Sequence, residues 1–155
     1  MPDSYPDYLW WVIPEKLAGM PCPALEDLPR LYNAGLGGVV SVIDEPSLIV
    51  EYQRIGLSAL LLPIPEDQAP TLEQLQEFVT FADEIISRKQ TVAVHCTGGN
   101  HRTGTLLAGY LVAKGEKPED IIEGIQKINA KAQLSAAQTY FLHQLPQLLE
   151  LPSKR

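Results

Sequence analysis

Cysteine is scarce in this chain: Cys22 and Cys96 are the only two in 155 residues, too few for a disulfide framework. Cations are scarce as well. Lys+Arg 12 against Asp+Glu 19 leaves a formal net charge of −7, which excludes a nucleic-acid backbone or an anionic membrane surface as the expected main partner. No apolar run approaches the roughly 20 residues that span a bilayer. The opening Met1-Pro2-Asp3-Ser4-Tyr5-Pro6-Asp7 has neither the basic start nor the apolar stretch of a secretory signal. Repeats, low-complexity tracts and linkers are also missing. The expectation is one acidic domain over 1–155, cytoplasmic and monomeric, with 45% hydrophobic residues to build its core.

Apolar runs of strand length recur at Tyr8 to Ile13, Val39 to Ile43, Ser58 to Ile64 and Thr91 to His95. Near-continuous apolarity in Leu57-Ser58-Ala59-Leu60-Leu61-Leu62 and in Thr91-Val92-Ala93-Val94 predicts strands buried on both faces, as in a parallel sheet. Helical patterns lie between and after them. Ala24 to Ala34 should stop at Gly35, and Pro46 can open a helix after Asp44 and Glu45. Thr71 to Arg88 opens with a capping box of Thr71 and Gln74 and carries Leu72, Leu75, Phe78, Val79, Ala82 and Ile86 on one face. Thr103 to Lys114 should end at Gly115, and Pro118 should open Glu119 to Ile128. A last helix should begin near Ser135, with Gln138 completing a second capping box, and break before Pro146. The fold class is α/β: a central, mainly parallel sheet flanked by helices.

The chemistry is concentrated in Val94-His95-Cys96-Thr97-Gly98-Gly99-Asn100-His101-Arg102-Thr103-Gly104, which leaves a buried strand and enters a helix. Cys96 then sits at the carboxyl end of a strand, where open α/β sheets bind ligands. The stretch Thr97, Gly98, Gly99, Asn100 and His101 is long enough to curl into a nest of inward backbone N–H groups. Gly98 and Gly99 permit the positive φ such a nest requires. The following helix N-terminus adds partial positive charge, and Arg102 offers a planar fork for two phosphate oxygens. These groups should lower the Cys96 pKa below the ordinary value of about 8.5. An anion cradle over a thiolate describes phosphoryl transfer to cysteine.

At His95, Cys96, Gly99, Arg102 and Thr103 the chain resembles the cysteine-based protein phosphatases, with their pattern His-Cys-x5-Arg-Ser/Thr. It is more closely similar to the small atypical dual-specificity phosphatases. That likeness extends to Trp11-Val12-Ile13-Pro14, Leu17-Ala18-Gly19, Pro63-Ile64-Pro65 and Arg102-Thr103-Gly104-Thr105. The resemblance implies that Cys96 is the nucleophile, Arg102 the phosphate clamp, Thr103 a hydrogen-bond donor to the sulfur and His95 a brace behind the loop. The family's general-acid aspartate aligns on Glu66, with Asp67 beside it, so both are candidate acids. His101 occupies a position that is often small. Gln138 has two readings: helix cap, or the polar residue that positions the hydrolytic water in relatives. Expected substrates are phosphotyrosine, and phosphoserine or phosphothreonine, on a protein, or a small phosphate monoester. Phosphoinositides are disfavoured, since Thr97, Gly98, Asn100 and His101 include no lysine. No cofactor is needed.

Other chemistries fit less well. His95, Cys96 and His101 match no zinc spacing, and Gly99 to Thr105 lacks the lysine of a nucleotide-binding loop. A sulfurtransferase or an arsenate-reducing enzyme also uses a loop cysteine, but Cys22, between two prolines, reads as ordinary packing, and nothing requires a Cys22–Cys96 pair. A catalytically silent phospho-binding module would not need the thiolate.

Overall fold

The computed structural model describes residues 4–151. Five strands form one sheet: β1 (Trp10–Ile13), β2 (Leu17–Pro21), β3 (Leu36–Ser41), β4 (Ser58–Leu61) and β5 (Thr91–Cys96), in the order β1-β2-β5-β3-β4. Only the β1–β2 pair is antiparallel. The helices are α1 (Leu28–Ala34), α2 (Pro46–Arg54), α3 (Leu72–Ser87), α4 (His101–Ala113), α5 (Pro118–Ile128) and α6 (Ala136–Leu148).

The central strand β5 is buried throughout, and its side chains alternate between two cores. Val92, Val94 and Cys96 face the larger core, with Leu75, Phe78, Ala82, Leu106, Leu107 and Leu142 from α3, α4 and α6. Ala93 faces the smaller core, with Ala18, Met20, Val39, Leu31 and Tyr52. Burial on both faces is why these strands read as unbroken apolar runs rather than as alternation.

The structure corrects several expected boundaries. β2 is a full strand that the sequence reading left unassigned; its five residues include Gly19 and Pro21, too little apolar run to register. Tyr8 and Leu9 precede β1, and the strand expected at Val39 to Ile43 begins earlier, at Leu36. β4 ends at Leu61, although the Leu62 and Ile64 N–H groups still donate to the Ser41 and Val42 carbonyls at 2.8 and 3.1 Å, with Pro63 between them on the open edge. Ala24 to Ala34 is a 3-10 turn (Leu25–Asp27) followed by α1, with Pro29 in the first turn of the helix. The α1 stop at Gly35 is present, at φ 121°. Helix α4 starts two residues before Thr103, at His101. Helix α6 continues through Pro146 to Leu148. Pro146 falls in the last turn, where the ladder loses one bond, while the Leu149 N–H still reaches the Leu145 carbonyl at 2.8 Å and Leu142 and Leu145 stay packed in the core.

Candidate active site

β5 delivers Cys96 to the carboxyl edge of the sheet, and residues 97–100 turn beneath it before α4 begins at His101. The turn depends on Gly99, whose φ is 78°. A Cβ there would lie 2.3 Å from the carbonyl carbon and oxygen of Met20, so the loop packs directly against β2. Gly98 does not take a positive φ; of the two glycines only Gly99 uses that freedom.

The loop is held from several sides. The Trp10 indole N–H donates to the Gly99 carbonyl at 2.9 Å, and the Asn129 amide donates to Asn100 Oδ1 at 3.0 Å. The Cys22 N–H donates to the Thr97 carbonyl at 3.3 Å. Behind the strand, His95 is fully buried, with Nδ1 facing the Cys96 carbonyl at 3.4 Å and Nε2 2.7 Å from the Tyr52 hydroxyl. Burial pushes its pKa down to about 4, so the ring is neutral. The Tyr52 hydroxyl also hydrogen-bonds the Cys22 thiol, and Tyr52 is raised chiefly by burial.

Burial acts to raise the Cys96 thiol, yet the net shift is downward. The neighbouring Thr103 hydroxyl and the backbone N–H groups of Thr103, Gly99 and Asn100 favour the thiolate and outweigh the desolvation. The Gly99 N–H donates to Sγ at 3.2 Å, whereas the Thr103 hydroxyl, expected to donate to the sulfur, is buried and makes no hydrogen bond. Thr103 and the loop N–H groups, rather than the charge of Arg102, supply the lowering. Arg102 lies in the first turn of α4 and donates Nη1 to the Ile64 carbonyl at 2.9 Å.

A pocket of about 210 Å³ opens above the sulfur, lined by Glu66, Asp67, Cys96, Thr97, Gly98, Asn100, His101 and Arg102. Both candidate acids therefore reach it, although they lie about thirty residues before the cysteine. They sit on a tight turn closed by the Gln68 N–H on the Pro65 carbonyl at 3.1 Å, with Asp67 at φ 61°. His101 donates Nδ1 to the Gln133 carbonyl at 2.5 Å. Gln138 is fully buried and outside the pocket lining; its Oε1 accepts from the Ser135 N–H at 2.9 Å and its Nε2 donates to the Gln68 carbonyl at 3.1 Å. Both ends of that amide are occupied within the protein. No metal-holding cluster of His, Cys, Asp or Glu occurs among the described residues.

The sequence reading missed Trp10, Tyr52, Asn129 and the position of Cys22 beside the loop. Each reaches the site from an element distant in the chain, and none belongs to a local motif. The two cysteines are free.

Residues 15–116 match the family model described as Tc-R-P, polymorphic toxin system, DSP-PTPase phosphatase. The human phosphatidylglycerophosphatase and protein-tyrosine phosphatase 1 is 37% identical over 82 residues, covering 52% of this chain and 41% of that protein. Tyrosine-protein phosphatase cdcA of Emericella nidulans is 25% identical over 125 residues, covering 80% of this chain and 21% of that protein. The matched region thus spans less than half the length of either relative. Among solved structures, PTPMT1 in complex with PI(5)P superposes with a TM-score of 0.83 at 25% identity, covering 93% of this chain and 97% of that one. Tk-PTP in its active form shares the fold, with a TM-score of 0.81 at 24% identity over 91% of this chain and 97% of that one. With the family matched from just after β1 through α4, the chain belongs to the DSP-PTPase phosphatases, as a small atypical dual-specificity phosphatase.

Proposed function

We propose that this phosphatase hydrolyses phosphate monoesters through a phosphocysteine, with phosphotyrosine on a protein as its principal substrate. The observation that carries the reading is the buried Cys96 sulfur, held below the ordinary thiol range by Thr103 and the loop's N–H groups at the floor of a pocket that two carboxylates and Arg102 also line. In the first step the sulfur attacks phosphorus in line, the S–P bond forms and the P–O ester bond breaks. The departing oxygen takes a proton from the acid of the 63–70 loop, for which Glu66 is the aligned residue and Asp67 its neighbour. In the second step water attacks phosphorus, the same carboxylate accepts its proton, the S–P bond breaks and inorganic phosphate leaves.

Arg102, oriented by the Ile64 carbonyl on Nη1, presents its remaining N–H groups to two phosphate oxygens, while the nest holds the others. Glu66 and Asp67 make one wall of the pocket acidic, which disfavours a second phosphate beside the reacting one. A single monoester on an uncrowded leaving group is the substrate this arrangement suits.

A phospholipid monoester is the second reading, favoured by the likeness to a protein whose solved complex contains PI(5)P and to a human relative named for phosphatidylglycerophosphate. The test is a comparison of kcat/KM on a phosphotyrosine peptide, a phosphoserine peptide and phosphatidylglycerophosphate in mixed micelles, each with and without EDTA. The protein reading expects the phosphotyrosine peptide to lead by at least tenfold and EDTA to change nothing. A lead for the lipid reverses the substrate assignment, and loss of activity in EDTA rejects the metal-free mechanism.

A further inference from the structure

Two capping boxes occur among the described residues, and both use glutamine at the third helical position. In α3, Gln74 Oε1 accepts from the Thr71 N–H at 2.9 Å; in α6, Gln138 Oε1 accepts from the Ser135 N–H at 2.9 Å. Glutamate would serve equally as a cap, since only the oxygen is used. Glutamine brings a second group, and in both helices that group does the same thing. Gln74 Nε2 donates to the Pro63 carbonyl at 2.9 Å, and Gln138 Nε2 donates to the Gln68 carbonyl at 3.1 Å. The two carbonyls are the two ends of the segment that carries Glu66 and Asp67.

Between these ends the segment is held at two more points. The Arg102 guanidinium binds the Ile64 carbonyl, and the Ser135 hydroxyl donates to the Asp67 carbonyl at 2.8 Å. Asp67 is in the left-handed region at φ 61°, a conformation aspartate adopts more readily than most non-glycine residues but at some cost over negative φ. Relaxing that residue to negative φ would swing the turn and redirect both carboxylates. The same α5–α6 connection is tied to the phosphate loop side by His101 on the Gln133 carbonyl.

We propose that Gln74 and Gln138 are paired positioning residues: their caps order α3 and α6, and their spare amide protons clamp the acid-bearing turn over the phosphate pocket. The clamp rests on the reading that the general acid lies on this turn. It sets the distance from acid to leaving oxygen, so it acts on the protonation step and leaves phosphate binding alone.

The test separates cap from clamp. Gln74→Glu and Gln138→Glu keep the capping oxygen and turn the donor into a carboxylate oxygen that repels the carbonyl it faced. Gln74 is only half-buried, so Gln74→Glu remains informative if the buried Gln138→Glu fails to fold, and Ser135→Asp removes the hydroxyl donor to Asp67 while keeping a capping acceptor. Each variant, with Glu66→Gln and Asp67→Asn alongside, is assayed on phosphotyrosine and on an activated aryl phosphate, whose leaving group needs little protonation. The clamp predicts a fall in kcat on phosphotyrosine that exceeds the fall on the activated ester by at least tenfold in the double glutamate variant, with vanadate affinity held within threefold. Equal losses on both substrates, or a ratio shift under twofold while one carboxylate variant shows a large one, would overturn it. If neither carboxylate variant shifts the ratio, the acid is not on this turn and both the reading and the clamp are rejected.

Discussion

The Tyr52 hydroxyl meets Nε2 of His95 at 2.7 Å on the face of the sheet opposite the Cys96 side chain, while Nδ1 of the same ring faces the Cys96 carbonyl. A carbonyl only accepts, so Nδ1 carries the proton and Nε2 accepts from Tyr52. The imidazole is thereby a neutral strut between α2 and the end of β5. Its role is mechanical, and its titration makes that role measurable.

Burial lowers the His95 pKa from 6.5 to about 4. Between those values the unfolded chain binds a proton that the folded chain does not, so stability falls as pH falls from 6.5 towards 4 and levels off below. The window is worth about 3 kcal/mol. Urea unfolding of the parent and of His95→Asn at pH 7, 5.5 and 4.5 should show the parent losing its advantage over the variant as pH drops. Parallel curves would mean that His95 titrates in the fold as it does in the unfolded chain.

Cys96→Ser should reduce turnover by at least 10³-fold, about 4 kcal/mol of barrier, while vanadate still binds. Serine fits the nest but is not ionised near neutral pH. In the parent, alkylation of Cys96 by iodoacetamide should persist below the pH at which an ordinary thiol, near 8.5, stops reacting, because its pKa is lowered. Activity within tenfold of the parent would remove the covalent step.

Arg102→Lys keeps the charge and loses the fork, including the Nη1 bond to the Ile64 carbonyl. Both kcat and vanadate affinity should fall, each by at least tenfold, measured by steady-state kinetics and by inhibition. Near-parental values would place Arg102 outside the phosphate site.

The two loop glycines make opposite predictions. Gly99→Ala puts a Cβ 2.3 Å from the Met20 carbonyl at a φ of 78°, so it should cost at least about 2 kcal/mol of stability and most of the activity. Gly98→Ala meets only the flexible Asn100 side chain, at 3.3 Å, and should melt within a few degrees of the parent. Thermal melts of the pair check this directly; equal melting points would show that the loop does not pack on β2 as described.

Much of the site was legible locally. Residues 95–103 lie in one continuous run, and the requirements of an anion nest (glycine at a left-handed position, a following helix N-terminus, an arginine in its first turn) are all short-range. The two capping boxes were legible for the same reason, since each closes within one turn of helix. Strand boundaries were less legible. β2 carries glycine and proline and is ordered by its parallel pairing to β5, from Leu17 on Val92 to Pro21 on Cys96, which no local pattern encodes.

The sequence by itself determined the strand–loop–helix that carries Cys96 and Arg102, and the α/β class, because hydrophobic period and loop chemistry act over a few residues. Tertiary structure alone decided what surrounds the loop. Trp10 and Cys22 reach it because β1 and β2 are laid beside β5, and Tyr52 reaches His95 because α2 packs on the far face. It also decided the environment of Gln138. In sequence the residue is a cap or a water-positioning group; in the fold its amide bridges Ser135 and Gln68, seventy residues apart in chain number from one partner and three from the other. The physical reason is that a hydrogen bond across such a separation exists only after the core has closed, when burial has already met the entropic cost of bringing the segments together.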